Sequence, residues 1–269
     1  MNKLKIIAGP CLAESEKMLK NTAEYLENIC AKFSNVDFYF KSSYKKANRT
    51  SANSFSGVGD LKALKWLNEI RNEFNIKVLT DIHSPDEAIM AAEYVDILQI
   101  PAFLARQTEI LVEAAKTGLT INIKKGQFMA PDDMQKASEK VASMGNNNIW
   151  LTERGTFFGY HDLVVDFRSL LIMREMGYPV LYDATHSLQL PSIGEQSGGN
   201  PKFIPALARA AVAVGVDGIF FETHPDPQNA KSDSATQLPL NQAEKFISML
   251  VEINSAVLNL FEDSKDIDL

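Results

Sequence analysis

Eight short runs rich in β-branched and aromatic residues alternate with eight longer amphipathic stretches along the whole chain. The runs fall at 4–8, 36–40, 76–80, 95–100, 119–123, 148–152, 178–182 and 216–221. Several are nearly continuous apolar runs, the pattern of parallel strands covered on both faces. Helices are expected over 15–33, 60–74, 104–117, 166–176, 202–214 and 240–260. In 60–74, Leu61, Leu64, Leu67, Ile70 and Phe74 recur at spacings of three and four, which makes one apolar face. Ser84-Pro85-Asp86-Glu87 reads as an N-cap, a first-turn proline and acids at a helix start, and Pro131-Asp132-Asp133 reads the same way. Strict alternation predicts a parallel sheet. Eight units in 269 residues predict a single-domain (β/α)8 TIM barrel over 1–269. An open doubly wound sheet lacks support, since no G-x-G-x-x-G follows any strand.

Composition narrows the function classes. Lys plus Arg is 27 against 34 Asp plus Glu, a formal net charge of -7. An acidic chain is a poor general binder of nucleic acid, whose phosphates demand a basic face. No apolar run approaches the roughly 20 residues that span a bilayer, so no membrane role is expected. The first residues are broken by Gly9-Pro10 too soon to make a signal peptide. Two cysteines, Cys11 and Cys30, build no disulfide framework, so a reducing cytoplasm is the expected setting. Phe261 to Asp266 reads as a solvated, frayed tail.

Barrel chemistry belongs at the C-terminal ends of the strands. Here those ends carry Cys11, Lys41-Ser42-Ser43, Asp81 and His83, Gln99, Lys124-Lys125, Glu153-Arg154, Asp183 and His186, and Glu222 and His224. Lys41, Lys45, Lys46, Arg49, Lys124, Lys125 and Arg154 all follow strands, and gathering cations at one mouth of an acidic protein points to an anion site. For Lys45 and Lys125 a solvated surface role is the competing reading, and Lys124 could instead be a Schiff-base lysine. Cys11, His186, Glu222 and Asp233 come from strand ends that adjoin when a barrel closes. Thiolate, imidazole and two carboxylates suit a divalent ion such as Zn²⁺, Fe²⁺ or Mn²⁺. Spacing alone is weak support, because there is no C-x-x-C or H-E-x-x-H. Cys11 alone also reads as a small buried hydrophobe, as Cys30 does. His83, His161 and His224 could each be plain polar or capping residues. The Gly-rich stretch 191–200 and the segment 226–237 are candidate lids or simple connections.

Longer motifs are more specific. Ile7-Ala8-Gly9-Pro10-Cys11, Lys41-Ser42-Ser43-Tyr44-Lys45-Lys46-Ala47-Asn48-Arg49-Thr50, Gln99-Ile100-Pro101-Ala102-Phe103-Leu104-Ala105-Arg106-Gln107-Thr108, Asn122-Ile123-Lys124-Lys125-Gly126-Gln127-Phe128, Thr152-Glu153-Arg154-Gly155, Asp183-Ala184-Thr185-His186-Ser187 and Glu222-Thr223-His224-Pro225 closely resemble the 3-deoxy-D-manno-octulosonate 8-phosphate synthases. The resemblance implies condensation of phosphoenolpyruvate with D-arabinose 5-phosphate and water, releasing inorganic phosphate, for lipopolysaccharide synthesis. C3 of the enolpyruvate attacks the sugar aldehyde, water adds at C2, and phosphate leaves by C–O cleavage. Enolpyruvate is already an activated carbon nucleophile, so no Schiff base at Lys124 is needed.

Residue by residue, the resemblance gives the phosphoenolpyruvate phosphate to Lys124, Arg154 and the backbone near Ala102, and its carboxylate to Lys46 and Ser43. Asn48, Arg49 and Thr50 would hold the arabinose phosphate. Many members have Ser where this chain has Thr50, so the hydroxyl survives with an extra methyl. Gln99 is counted with the substrate-binding residues. Arg106 would reach the sugar phosphate of a neighbouring subunit, which implies a homotetramer. Lys41, Lys46, Asn48, Asp81, His83 and Cys11 form the expected catalytic set. The family has a metal-dependent branch with Cys at position 11 and a metal-independent one with Asn, and this chain has the Cys. His186, Glu222 and Asp233 match the other three ligands. A metal-dependent hydrolase is disfavoured because the first strand has no His-x-His pair. A sugar-phosphate sensor is disfavoured because Lys124, Arg154 and Asn48-Arg49 are all present. The near rival is the seven-carbon synthase, which takes erythrose 4-phosphate.

Overall fold

Strand β1, Leu4–Gly9, pairs in parallel with β2, Val36–Lys41, on one side and with β8, Gly218–His224, on the other. That second pairing closes the sheet. Between them run β3 (Lys77–Asp81), β4 (Ile97–Ile100), β5 (Thr120–Lys124), β6 (Ile149–Glu153) and β7 (Val180–Asp183), all parallel and in sequence order. These observations come from a computed structural model that describes residues 3–47, 55–160, 162–190 and 198–263. Around the barrel lie α1 (Glu16–Cys30), α2 (Asp60–Phe74), α3 (Pro85–Ala92), α4 (Thr108–Lys116), α5 (Asp133–Ala142), α6 (Arg168–Arg174), α7 (Ile204–Val214) and α8 (Ala243–Asp263). The expected (β/α)8 barrel is thus present. None of the described helices is long and apolar enough to cross a membrane.

Local chemistry accounts for the helix starts. Ser15 caps α1 by accepting from the Met18 N–H, and Leu19, Ala23, Leu26, Ile29 and Cys30 bury one face. Ser84 caps α3 by accepting from the Glu87 N–H, with Pro85 in the first turn. The Pro131 motif behaves differently: α5 begins at Asp133, whose carboxylate accepts back from the Ala130 N–H. Three helices also begin later than their periodicity suggests, each behind a short 3₁₀ turn at Ala102–Leu104, Pro201–Phe203 or Leu240–Gln242. At the far end, α8 continues to Asp263, so the first three residues of the expected frayed tail are helical.

Strand alternation sets the inside of the barrel. Ile7, Tyr39, Leu79, Ile97, Trp150, Leu181 and Phe220 form one apolar cluster, apart from the larger core between sheet and helices. Burying each such side chain contributes about 1.5–3 kcal/mol. Two residues further along each strand the side chain returns to the same face. On β1 that residue is Gly9, and on the other six strands it is Lys41, Asp81, Gln99, Thr152, Asp183 and Glu222. A polar layer therefore stands directly on an apolar plug. Gly9 has its own reason to be glycine: a Cβ there would lie 2.1 Å from the Lys41 carbonyl oxygen. The loops add three short pairings that the sequence pattern does not reveal. These are Thr156–Phe157 with Leu163–Val164, Gln189–Leu190 with Gly198–Gly199, and Leu238–Pro239 beside β8.

Candidate active site

The polar layer is an ion-paired network. Lys41 is buried and donates to Glu222 Oε1 at 2.8 Å, with Asp81 Oδ2 at 3.7 Å. Asp81 also accepts from the Ser43 hydroxyl and from the Gln99 amide. Burial alone would raise the Asp81 pKa, but Lys41, Lys46 and His83 outweigh it and keep the carboxylate ionised. For Lys46, burial opposes the charge, while Cys11, Asp81, Glu222 and Asp233 together raise its pKa. Its Nζ donates to Ser43 Oγ at 2.9 Å. Lys124 is salt-bridged to Asp183 and stands 3.4 Å over the Phe220 ring. Burial wins there, and the Lys124 pKa is lowered despite Asp183.

Arg154 is also buried, and its Nη2 donates to Gln189 Oε1 at 2.9 Å. Nη1 is shielded from solvent and makes no hydrogen bond among the described residues. A buried guanidinium nitrogen without an acceptor is costly, and an anion in the mouth would satisfy it.

The four residues read as metal ligands converge on one side of the mouth, where Gly9 stands in register with Glu222. Donor atoms of Cys11, Glu222 and Asp233 lie within 4.8 Å of one another. Cys11 Sγ is 3.0 Å from Asp233 Oδ2. His186 Nε2 is 3.5 Å from Glu222 Oε1 and 3.8 Å from Asp233 Oδ2, while its Nδ1 is fixed 2.8 Å from Asp183. Glu222 Oε2 is buried without a hydrogen-bond partner among the described residues. Asp233 holds a left-handed backbone, φ 47°, uncommon for a residue with a side chain. Burial first, then Asp233 and Glu222, push the Cys11 thiol well above its usual range. A soft sulfur, an imidazole and two carboxylates, with one orphaned oxygen, fit a borderline divalent cation.

Other expected residues are placed less simply. Gln99 uses its amide at both ends, donating to Asp81 and accepting from Asn122 Nδ2 at 2.9 Å, and Asn122 in turn accepts from Thr152 Oγ1 at 2.6 Å. That belt, with Asp81 at one end, ties four strands together. His83 sits at the rim, with Nδ1 2.9 Å from Glu87. Lys45 and Lys125 are neither surface groups nor free cations. Lys45 is paired with Glu87 at 2.7 Å and Asp60 at 3.1 Å. Lys125 turns away from the mouth to Thr156 Oγ1 at 3.0 Å and Glu153 at 3.5 Å. Ala102 is buried, and its carbonyl packs near Gly126. Arg106 is exposed and stands apart from the network, lining a cavity of about 270 Å³ with Met129, Lys136 and Lys140. His224 is buried and its Nδ1 accepts from the Asp226 N–H, a local capping role. Asn48, Arg49, Thr50 and His161, and most of the 191–200 stretch, lie outside the described residues. Sequence reasoning gave no site role to Asp183, Asn122 or Glu87. Asp183 had a signal as a strand-end acid in the barrel's inward register, and Asn122 as a polar residue within a strand.

Known proteins similar to this chain share nearly its full length. The model of a family described as the DAHP synthetase I family matches residues 1–259. A protein of Koribacter versatilis named 2-dehydro-3-deoxyphosphooctonate aldolase is 52% identical over 259 residues, covering 95% of this chain and 92% of that one. Proteins of the same name from Francisella tularensis subsp. holarctica and Trichlorobacter lovleyi are 49% and 51% identical. Each alignment covers 94% of this chain, and 92% and 93% of the respective relative.

Proposed function

The chain belongs to the DAHP synthetase I family, and we infer that it condenses phosphoenolpyruvate with D-arabinose 5-phosphate and water. The products are 3-deoxy-D-manno-octulosonate 8-phosphate and inorganic phosphate, and the reaction serves lipopolysaccharide synthesis. Besides kinship, the observation that carries this reading is the orphaned Nη1 of buried Arg154, in a mouth that also holds Lys41, Lys46 and Lys124. Two anionic substrates repel each other, and fixed cations offset that repulsion while holding the carbons in reach.

In this reading Arg154, Lys124 and the Ala102 backbone take the enolpyruvate phosphate. Lys46 and Ser43 take its carboxylate, and Asn48, Arg49 and Thr50 take the arabinose phosphate. Attack of C3 on the aldehyde leaves positive charge at C2, and Asp81, held ionised, opposes it. Water adding at C2 releases a proton through His83, and the aldehyde oxygen, left as an alkoxide by the new C–C bond, takes one up. The C2 hydroxyl then loses its proton to become the ketone, and phosphate leaves with the electrons of the C–O bond and takes that proton. Cys11, His186, Glu222 and Asp233 would hold a Zn²⁺, Fe²⁺ or Mn²⁺ ion. Such an ion supplies a Lewis acid that orients the aldehyde or acidifies water.

Two further parts belong to the proposal. The assembly is a homotetramer in which Arg106 serves a neighbour's sugar phosphate, consistent with its exposure. The setting is the cytoplasm, consistent with two unpaired, buried thiols.

The test is phosphate release from phosphoenolpyruvate with arabinose 5-phosphate, before and after removal of metal by a chelator, with single-metal add-back. Activity lost on stripping and restored by one divalent ion is expected. Activity that survives verified stripping would remove the metal from the proposal and keep the synthase. A preference for erythrose 4-phosphate would replace the eight-carbon product by the seven-carbon one.

A further inference from the structure

Glu87 is the third residue of α3, and its carboxylate gathers donors from two strand-end loops. Oε1 receives Lys45 Nζ at 2.7 Å. Oε2 receives the Tyr44 hydroxyl, the His83 backbone N–H at 2.8 Å and His83 Nδ1 at 2.9 Å. Asp60, the first residue of α2, holds Lys45 from its other side at 3.1 Å. The Tyr44 ring stands edge-on to the His83 imidazole, centroids 6.2 Å apart. Burial works to raise the Glu87 pKa, but hydrogen bonds from His83, Lys45 and Tyr44 prevail and bring it down to about 2.

An ionised carboxylate has no proton to give. The hydrogen shared between Glu87 and His83 therefore belongs to Nδ1, and in the neutral ring Nε2 carries the lone pair. Nε2 makes no hydrogen bond among the described residues. Two bonds from His83 to one oxygen, one of them from its own backbone, fix both the ring and the loop that carries it. Lys45 balances the Glu87 charge, so it is a partner in this clamp and not a ligand for a substrate anion.

We propose that Glu87 is the positioning residue for His83, holding its imidazole as the Nδ1–H tautomer so that Nε2 is the nitrogen offered to the reaction. The proposal rests on the reading of His83 as a catalytic residue. It adds a part outside the mouth, on the helix behind it, that decides which end of the imidazole is basic.

The test combines ring-nitrogen NMR with a double-mutant cycle on the full chain. The chain has four histidines, so ¹⁵N-histidine signals can be assigned by comparison with His83→Gln. The wild type should show His83 protonated at Nδ1 and bare at Nε2 when neutral. Glu87→Ala should mix the tautomers and lower kcat about tenfold, a part of what a general acid–base group supplies. KM for phosphoenolpyruvate should stay within about twofold. Glu87→Gln, whose amide oxygen still accepts from Nδ1–H, should recover most of the loss and also serves if Glu87→Ala folds poorly. His83→Ala/Glu87→Ala should be no slower than His83→Ala. A wild-type ring protonated at Nε2, or a Glu87→Ala loss that persists undiminished in the His83→Ala background, would overturn the proposal. Full activity in His83→Ala would instead remove the catalytic reading of His83, while the tautomer spectrum would still decide the role of Glu87.

Discussion

Arg154 concentrates the physics of the mouth in one side chain. Its guanidinium is buried on the floor that holds Lys124 and Asp183, and one nitrogen is fixed by Gln189 while the other faces no acceptor among the described residues. Such a group is poised for the flat, two-point recognition of a phosphate, which an ammonium cannot copy. Arg154→Lys keeps the charge and loses the fork. Steady-state kinetics should show KM for phosphoenolpyruvate raised about tenfold or more, with KM for arabinose 5-phosphate changed far less. Equal changes in both constants would detach Arg154 from the enolpyruvate phosphate. It was readable as a candidate because it directly follows a strand core, where barrels keep their chemistry. The true place of Lys45 was not readable, because its partner Glu87 lies on another element and no local pattern joins them.

At the scale of elements, the barrel was legible because both of its signals are local. The two-residue period of a strand and the 3–4-residue period of a helix lie in adjacent positions, so all eight units could be counted. The two-residue hairpin at 156–164 and the short pairing at 189–199 were not, since two residues carry no period. Adjacent lysines at the end of β5 show the period at work: Lys124 enters the barrel and Lys125 leaves it. Lys125 is buried beside Glu153, and Glu153 also accepts from the Gly155 N–H at 2.6 Å and from the Ser169 hydroxyl. One carboxylate thus ties the loops after β5 and β6 to α6. Lys125→Met would leave that carboxylate buried without its cation, at a cost of about 3 kcal/mol. Thermal unfolding should register this as a fall of about 6–12 °C in Tm. Adding Glu153→Gln should restore part of it, because the uncompensated charge is then gone. A double variant that loses the sum of the two single losses would show that the pair is not coupled.

For the whole molecule, the proposed tetramer bears on the rim on the side of β4 to β6. Phe103, Phe128, Phe158 and Tyr160 are exposed there, on three consecutive strand-to-helix loops, and Tyr160 keeps 85% of its surface open. The loops after β5 and β6 are joined by the Phe157 N–H donating to the Gln127 carbonyl, so they form a continuous edge. Arg106 stands on the same side, with Lys136 and Lys140 around its cavity. Lys136 pairs with Glu139 and Lys140 donates to the Arg106 carbonyl, and exposed aromatics beside the exposed Arg106 side chain suit a contact between copies. If Arg106 completes a neighbour's site, its loss must be curable by another chain. Arg106→Ala should raise KM for arabinose 5-phosphate at least tenfold, with little effect on phosphoenolpyruvate. Lys124→Ala should be nearly inactive for a different reason, because its own mouth is damaged. Mixed assemblies of the two variants would contain mouths with an intact Lys124 served by an intact Arg106 from the other chain. Activity at low arabinose 5-phosphate should therefore exceed the sum of the separate variants once subunits exchange. Strict additivity, with exchange verified by mass measurement, would put Arg106 to work within its own subunit.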